Sequence, residues 1–254
     1  MSDFQGRGVL VVGAGGIGAQ VCHQVAAAEG RVFFTYNRNS VAADKLAASI
    51  PEEALAGYAQ LDVTDAEATA RVVNEARDAM GGVDALVTTV GYLHHLTTFD
   101  EVQMSTVRLT VEIELFGVFN LAKSVLPIMR DAGYGRIVTV GSDSGKVGSS
   151  AEAASAAARG GVIAFSKALA RETARSDICV NVVCPGPTET DLLESMLADR
   201  GLSGKLMNAM VRAIPKRRAG TAAEVAAMAV FLASEQASYV TGQAISVSGG
   251  LTMC

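Results

Sequence analysis

Short runs of β-branched and apolar residues recur along the chain at 9–12, 31–36, 84–90, 136–140, 178–183 and 244–247, separated by longer alanine-rich segments with helical spacing. The runs are apolar at successive positions rather than at alternate ones, so both faces of each strand are buried. That condition is met by a mainly parallel sheet with helices on each side and right-handed crossovers, a doubly wound α/β architecture. On the first helix Ile17, Val21, Val25 and Ala28 form one apolar stripe, and Gly30 is expected to end the helix as its C′ residue. No internal repeat, linker composition or low-complexity tail divides the chain, so residues 1–254 read as one domain. The segment 188–219 breaks the rhythm with several methionines, a Gly-Leu-Ser-Gly interruption and the basic run Lys216, Arg217, Arg218. It is too long for a plain connection and reads either as a lid over a pocket or as a satellite pair of surface helices.

Composition narrows the function classes. Twenty-one Lys and Arg against 26 Asp and Glu give a formal net charge of −5 with no basic run to track a phosphate backbone, so nucleic acid is not expected as a partner. Aromatic residues are 5% of the chain and no apolar run approaches the roughly 20 residues needed to span a bilayer, so no membrane partner is expected. The first residues run directly into a strand without the pattern of a secretory signal, and the cytoplasm is the expected location. Cys22, Cys179, Cys184 and Cys254 form no Cys-x-x-Cys pair and no zinc spacing, which makes them structural thiols and leaves no metal site in view.

Candidate chemistry starts at GAGGIG, 13–18, directly after a strand and before a helix. Gly13, Gly15 and Gly18 satisfy Gly-x-Gly-x-x-Gly, and with Gly16 and Ile17 they would let a pyrophosphate approach backbone N–H groups at the helix N-terminus. The second strand ends in Tyr36-Asn37-Arg38-Asn39, without the acidic residue that would hold the ribose hydroxyls of NAD. Arg38 could pair bidentately with a 2′-phosphate, which makes NADP(H) the expected cofactor; the alternative is a solvated turn residue.

These motifs, with LDVTD at 61–65, GRIVTVGSDSG at 135–145, VNVVCPGPTET at 180–190 and FLASEQASYVTGQAISVSGG at 231–250, resemble the short-chain dehydrogenase/reductase family nearly end to end. The resemblance implies a single Rossmann-type domain with a seven-stranded sheet, and a homodimer or homotetramer built on the long helices near 104–130 and 155–175. It places Asp62 and Val63 beside the adenine, carries Gly91 over as a cofactor-binding position, and sets Pro185, Gly186 and Thr190 against the nicotinamide.

The catalytic half of the family's pattern departs. Ser142 matches the serine that holds a carbonyl, but Ser155 stands where the tyrosine belongs, Arg159 replaces the lysine, and Glu114 replaces the asparagine of the preceding helix. The family's Asn-Asn-Ala-Gly turn reads Thr88-Thr89-Val90-Gly91, and its first glycine loop is one residue short here. A serine hydroxyl is far too weak an acid to act as the phenol does, while Arg159 as a fixed cation can still hold cofactor ribose or a developing oxyanion. Replacement acids are sought in Tyr92, His94 and His95 after the fourth strand, and in Glu114, which is either a desolvated acid or base or half of a structural ion pair with Arg159. Glu152 sits seven residues before Arg159, as the tyrosine of enoyl reductases of similar fold does, and Asp143 and Lys146 flank Ser142; all three also fit solvated loop positions.

Three functions follow, in order. The first is an NADP(H)-dependent oxidoreductase acting on a carbonyl, imine or activated alkene of a small apolar substrate. The second is a non-redox cyclase, isomerase, dehydratase or lyase that uses Ser142, Glu114 and Arg159. The third is a catalytically silent cofactor-binding or assembly partner.

Overall fold

The computed structural model describes residues 4–91 and 96–254. Its first half runs β1 (Gly8–Val12), α1 (Ile17–Ala27), β2 (Arg31–Tyr36), α2 (Ser40–Ser49), β3 (Leu55–Gln60), α3 (Ala66–Met80) and β4 (Ala85–Thr88). The second continues with α4 (Met104–Val111), α5 (Gly117–Ala132), β5 (Gly135–Val140), α6 (Ser144–Val147), α7 (Ala153–Thr173) and β6 (Ile178–Pro185). It closes with β7 (Thr188–Glu189), α8 (Asp191–Ala198), α9 (Leu202–Ala213), β8 (Gly220–Thr221), α10 (Ala222–Ala233) and β9 (Ala244–Val247).

Seven strands form one sheet in the order β3-β2-β1-β4-β5-β6-β9, all parallel, and β7 pairs with β8 apart from it. The apolar runs do what their pattern demands, since successive strand residues feed opposite cores. Val9 and Val11 pack with α1, α2 and α10 on one face, while Leu10 and Val12 pack with α3, α5 and α7 on the other. Each such side chain contributes about 1.5–3 kcal/mol by leaving water, which is why continuous apolarity here specifies a two-faced sheet.

Two sequence readings are corrected. β3 reads LAGYAQ, too poor in β-branched residues to announce itself, because it is a half-exposed edge strand that leans on β2 alone, with Tyr58 stacked on Phe34 at 5.1 Å between ring centroids. The left-handed residue that ends α1 is Glu29 (φ 64°), not Gly30, which is required instead for closeness: a Cβ there would stand 2.6 Å from Val25 Cγ1 and 2.8 Å from Phe4 Cβ. Of the Gly-Leu-Ser-Gly run at 201–204, Gly201 is the N-cap at which α9 starts after the end of α8, while Gly204 lies within α9, where a Cβ would meet the Asp199 carbonyl oxygen at 1.9 Å.

Residues 188–219 form the helix pair α8 and α9, with Met207 buried between Leu96 and Leu193 and with Met196 and Met210 partly buried around them. The hydroxyl of Ser203 accepts a hydrogen bond from the backbone N–H of Leu96 at 3.0 Å, tying this pair to the connection that follows β4. No helix among the described residues is long and apolar enough to cross a membrane. At the amino ends of the strands Tyr134 lies between two guanidinium groups, those of Arg7 at 4.0 Å and Arg136 at 4.2 Å from the ring centroid. Cys22, Cys179 and Cys184 are buried free thiols in α1 and β6, and Cys254 is exposed.

Candidate active site

The direction of strand succession reverses between β1 and β4, and an open parallel sheet binds ligands in the crevice outside the carboxyl ends at such a point. The glycine turn leaves β1 there. Gly13 has φ 96°, and a Cβ on Gly18 would fall 1.8 Å from the Gly13 carbonyl oxygen, so neither position accepts a side chain. No side chain caps the first turn of α1 and no acidic residue stands in it, which leaves N–H groups and the positive end of the helix dipole facing the crevice. Thr89 fixes the turn: its backbone N–H donates to the Val12 oxygen at 2.8 Å and its hydroxyl donates to the Gly13 oxygen. A Cβ on Gly16 would meet the Thr190 methyl carbon at 3.0 Å, so Thr190, the N-cap of α8, lies over the turn. These cradle features fit a dinucleotide pyrophosphate.

The other cofactor candidates lie around this turn with different degrees of access. Arg38 is exposed just beyond β2 and makes no ion pair with any described residue, while the neighbouring Asn39 caps α2. Asp62 is exposed and accepts from the Thr64 N–H and hydroxyl at 3.0 and 2.7 Å. Val63 is buried against Gly117, where a Cβ would stand 2.6 Å from Val63 Cγ2. Pro185 and Gly186 leave the carboxyl end of β6, and the Gly186 N–H donates to the Val247 oxygen at 3.2 Å.

Glu114, Ser155 and Arg159 come together as one hydrogen-bonded unit. Ser155 and Arg159 are four residues apart on α7 and therefore share a helix face. Glu114 sits in a π-turn, 112–116, that joins α4 to α5 where the sequence predicts one long helix; such one-turn widenings re-aim side chains at functional sites. Its carboxylate is 2% exposed and receives the Arg159 fork, Nη2 to Oε1 at 3.0 Å and Nε to Oε2 at 3.2 Å, and Oε2 also accepts from the Ser155 hydroxyl at 2.6 Å. Arg159 Nη1 donates to the Val140 oxygen at the end of β5 at 3.0 Å. Gly91 permits this approach, because a Cβ on it would stand 2.7 Å from Arg159 Nη2. The arrangement is that of a bidentate buried ion pair whose serine spends its proton on the carboxylate. Ser142 Oγ accepts from the N–H and the hydroxyl of Ser144 at 3.2 and 2.9 Å, so its own proton is available to an oxygen in the crevice.

Tyr92, His94 and His95 lie outside the described residues. Asp143 is not a solvated loop residue: it is buried, as the Ser142 side of β5 turns inward toward β9. Lys146 likewise turns inward, donating to the Ala244 oxygen at 3.0 Å and to Ser246 Oγ at 2.9 Å. Glu152 stands at the N-terminal boundary of α7, half-buried rather than exposed. Among the described residues no group of His, Cys, Asp or Glu side chains could hold a metal ion.

A seven-stranded parallel sheet with a glycine turn at its switch point defines the class of nucleotide-binding α/β enzymes. Comparison with known proteins is specific within it. A family model described as enoyl-(acyl carrier protein) reductase matches residues 12–252. The chain is 35% identical over 261 residues to the 3-oxoacyl-[acyl-carrier-protein] reductase FabG of Escherichia coli K12, covering 99% of both chains. It is 34% identical over 247 residues to the acetoacetyl-CoA reductase of an Acinetobacter species, covering 96% of this chain and 97% of the relative. A solved short-chain type dehydrogenase/reductase from Mycobacterium ulcerans superposes with a TM-score of 0.89 at 28% identity, over 98% of this chain and 90% of the other. The chain belongs to the short-chain dehydrogenase/reductase family, and the relatives it matches are oxidoreductases.

Proposed function

We propose that the protein is an NADP(H)-dependent reductase of a carbonyl, imine or activated alkene in a small apolar substrate, with its proton-handling residues rebuilt around Glu114, Ser155 and Arg159. The observation that carries this reading is the crevice itself: a glycine-rich turn at the N-terminus of α1, with an exposed Arg38 that makes no ion pair with any described residue at the end of the adjacent β2. When bound, the nicotinamide supplies the hydride. Ser142 holds the accepting oxygen through its uncommitted proton, solvent supplies the proton that the reduced oxygen takes up, and the Glu114–Arg159 pair fixes the floor of the site without a net charge. The 3-oxoacyl and acetoacetyl relatives are named for keto substrates, which favours a carbonyl among the acceptors. The helix pair of 188–219 serves as the lid of this site, held to the connection after β4 through Ser203 and Leu96.

The test is a fluorescence titration of the purified protein with NADPH and with NADH. NADPH is expected to bind more tightly, and Arg38→Ala to weaken NADPH alone by about 1.5–3 kcal/mol, the value of a charge-assisted contact. Equal losses for both nucleotides would remove the assignment of Arg38, and no binding of either would remove the oxidoreductase reading. Exposed Phe116, set edge on against Phe119, supports assembly as a homodimer or homotetramer through the α4, α5 and α7 side, which light scattering in solution measures.

A further inference from the structure

Asp143 follows Ser142 directly, is 6% exposed, and neither of its carboxylate oxygens is within hydrogen-bonding geometry of a donor among the described residues. A buried carboxylate in that condition is costly, so the group requires an explanation. Its surroundings join two parts of the fold. Its backbone N–H donates to the Pro185 oxygen at 3.0 Å, and a Cβ on Gly186 would lie 3.6 Å from its Oδ2 and 3.0 Å from Ser248 Cβ. The segment after β9 folds back on itself there, with the Thr252 N–H donating to Ser248 Oγ at 3.2 Å. Lys146 holds the same segment through Ser246 Oγ and the Cys254 carbonyl oxygen, yet forms no ion pair with Asp143. The lid is tied in as well, through the Lys216 N–H to the Gly249 oxygen at 3.2 Å.

We propose that Asp143 is a positioning residue for the Pro185–Gly186 loop: its protonated carboxyl holds the closing segment Ser246–Cys254 against that loop, and its ionisation loosens both. The consequence for cofactor affinity rests on the reading of this loop as facing the nicotinamide. Protonated, the carboxyl can donate to one of the hydroxyls of Ser246, Ser248 or Thr252 that line its pocket. Ionised, it calls for hydroxyl donors, and Ser248 can turn its proton to the carboxylate only by giving up the Thr252 oxygen to which it donates, which loosens the turn of the closing segment and admits water. Burial raises the tendency of Asp143 to stay protonated, against the opposing pull of the Thr252, Ser248 and Ser246 hydroxyls and of the Lys146 ammonium. The other titratable groups of this neighbourhood are Cys184 from β6, its thiol pushed up to about 11 mainly by burial, and Cys254.

The experiment compares the wild-type chain with Asp143→Asn, which keeps the shape and a donor but cannot ionise. NADPH is titrated into each from mildly acidic to mildly alkaline pH. Wild-type affinity is expected to fall with rising pH by on the order of tenfold more than that of the variant, equivalent to one unit of pKa difference between free and bound protein. The cofactor's own phosphate titrates equally in both and cancels. Parallel pH profiles would overturn the proposal. Hydrogen exchange of the unliganded proteins gives a second readout: backbone amides of 185–190 and 246–254 should lose protection with pH, beyond intrinsic exchange, in the wild type only. If neither protein binds a nucleotide, the cofactor reading fails while the exchange comparison still decides the role of Asp143. Should the variant not fold, protection in the wild type that is independent of pH is enough to overturn it.

Discussion

Glu114 shows how much a single substitution in a buried site can commit its neighbours. With both oxygens taken by the Arg159 fork and a serine hydroxyl, its removal leaves a buried guanidinium without its counter-charge, which costs about 3–5 kcal/mol in comparable sites. Glu114→Gln should therefore lower the urea midpoint strongly, while Glu114→Gln combined with Arg159→Met should cost much less than the two single changes added together. Additive losses would mean that the pair is not coupled. The same geometry bears on rebuilding the family's tyrosine and lysine. Ser155→Tyr with Arg159→Lys would leave Glu114 facing a shorter cation that cannot fork, so the pair of changes should yield less carbonyl reductase activity than the triple change that adds Glu114→Asn. Turnover of a simple ketone by the three proteins orders them directly.

The glycine turn depends on atoms too close for any side chain. A Cβ on Gly18 would lie 1.8 Å from the Gly13 oxygen, so Gly18→Ala must push the turn away from β1 and should cut affinity for both nucleotides by at least about tenfold while the sheet persists in circular dichroism. Unchanged binding would remove the turn from the site. This turn was legible in the sequence because its spacing is itself the requirement, and the buried strands were legible because burial on both faces leaves no polar position to blur the run. β3 was not, since an edge strand needs only one good face and tolerates Gly57 and Gln60. Nor was the inward turn of Asp143 and Lys146: charged residues after a strand nearly always face water, and nothing local in SDSGK reports that β9, a hundred residues later, passes beside them. The long helix expected near 104–130 was legible in length but not in its π-turn, which is a backbone event without a Gly or Pro to announce it.

Taken together, the chain couples its cofactor crevice to its global stability, because the turn, β4, the loop after β6 and the closing segment all meet at the carboxyl ends of the central strands. NADPH at a hundredfold excess over its Kd should stabilise the fold by about 2.7 kcal/mol. For a chain of this length that is a rise in melting temperature of roughly 5–10 °C, with NADH giving less at equal concentration. A thermal shift series over cofactor concentration checks it, and no shift with either nucleotide would contradict the site. The three buried thiols add a clock to this equilibrium. Cys22 lies in α1 behind the glycine turn and Cys179 and Cys184 lie along β6, so an alkylating reagent reaches them only when the chain opens. Exposed Cys254 should react at once, and the later uptake of three further labels would then time the lifetime of the native state, slowing as the crevice fills.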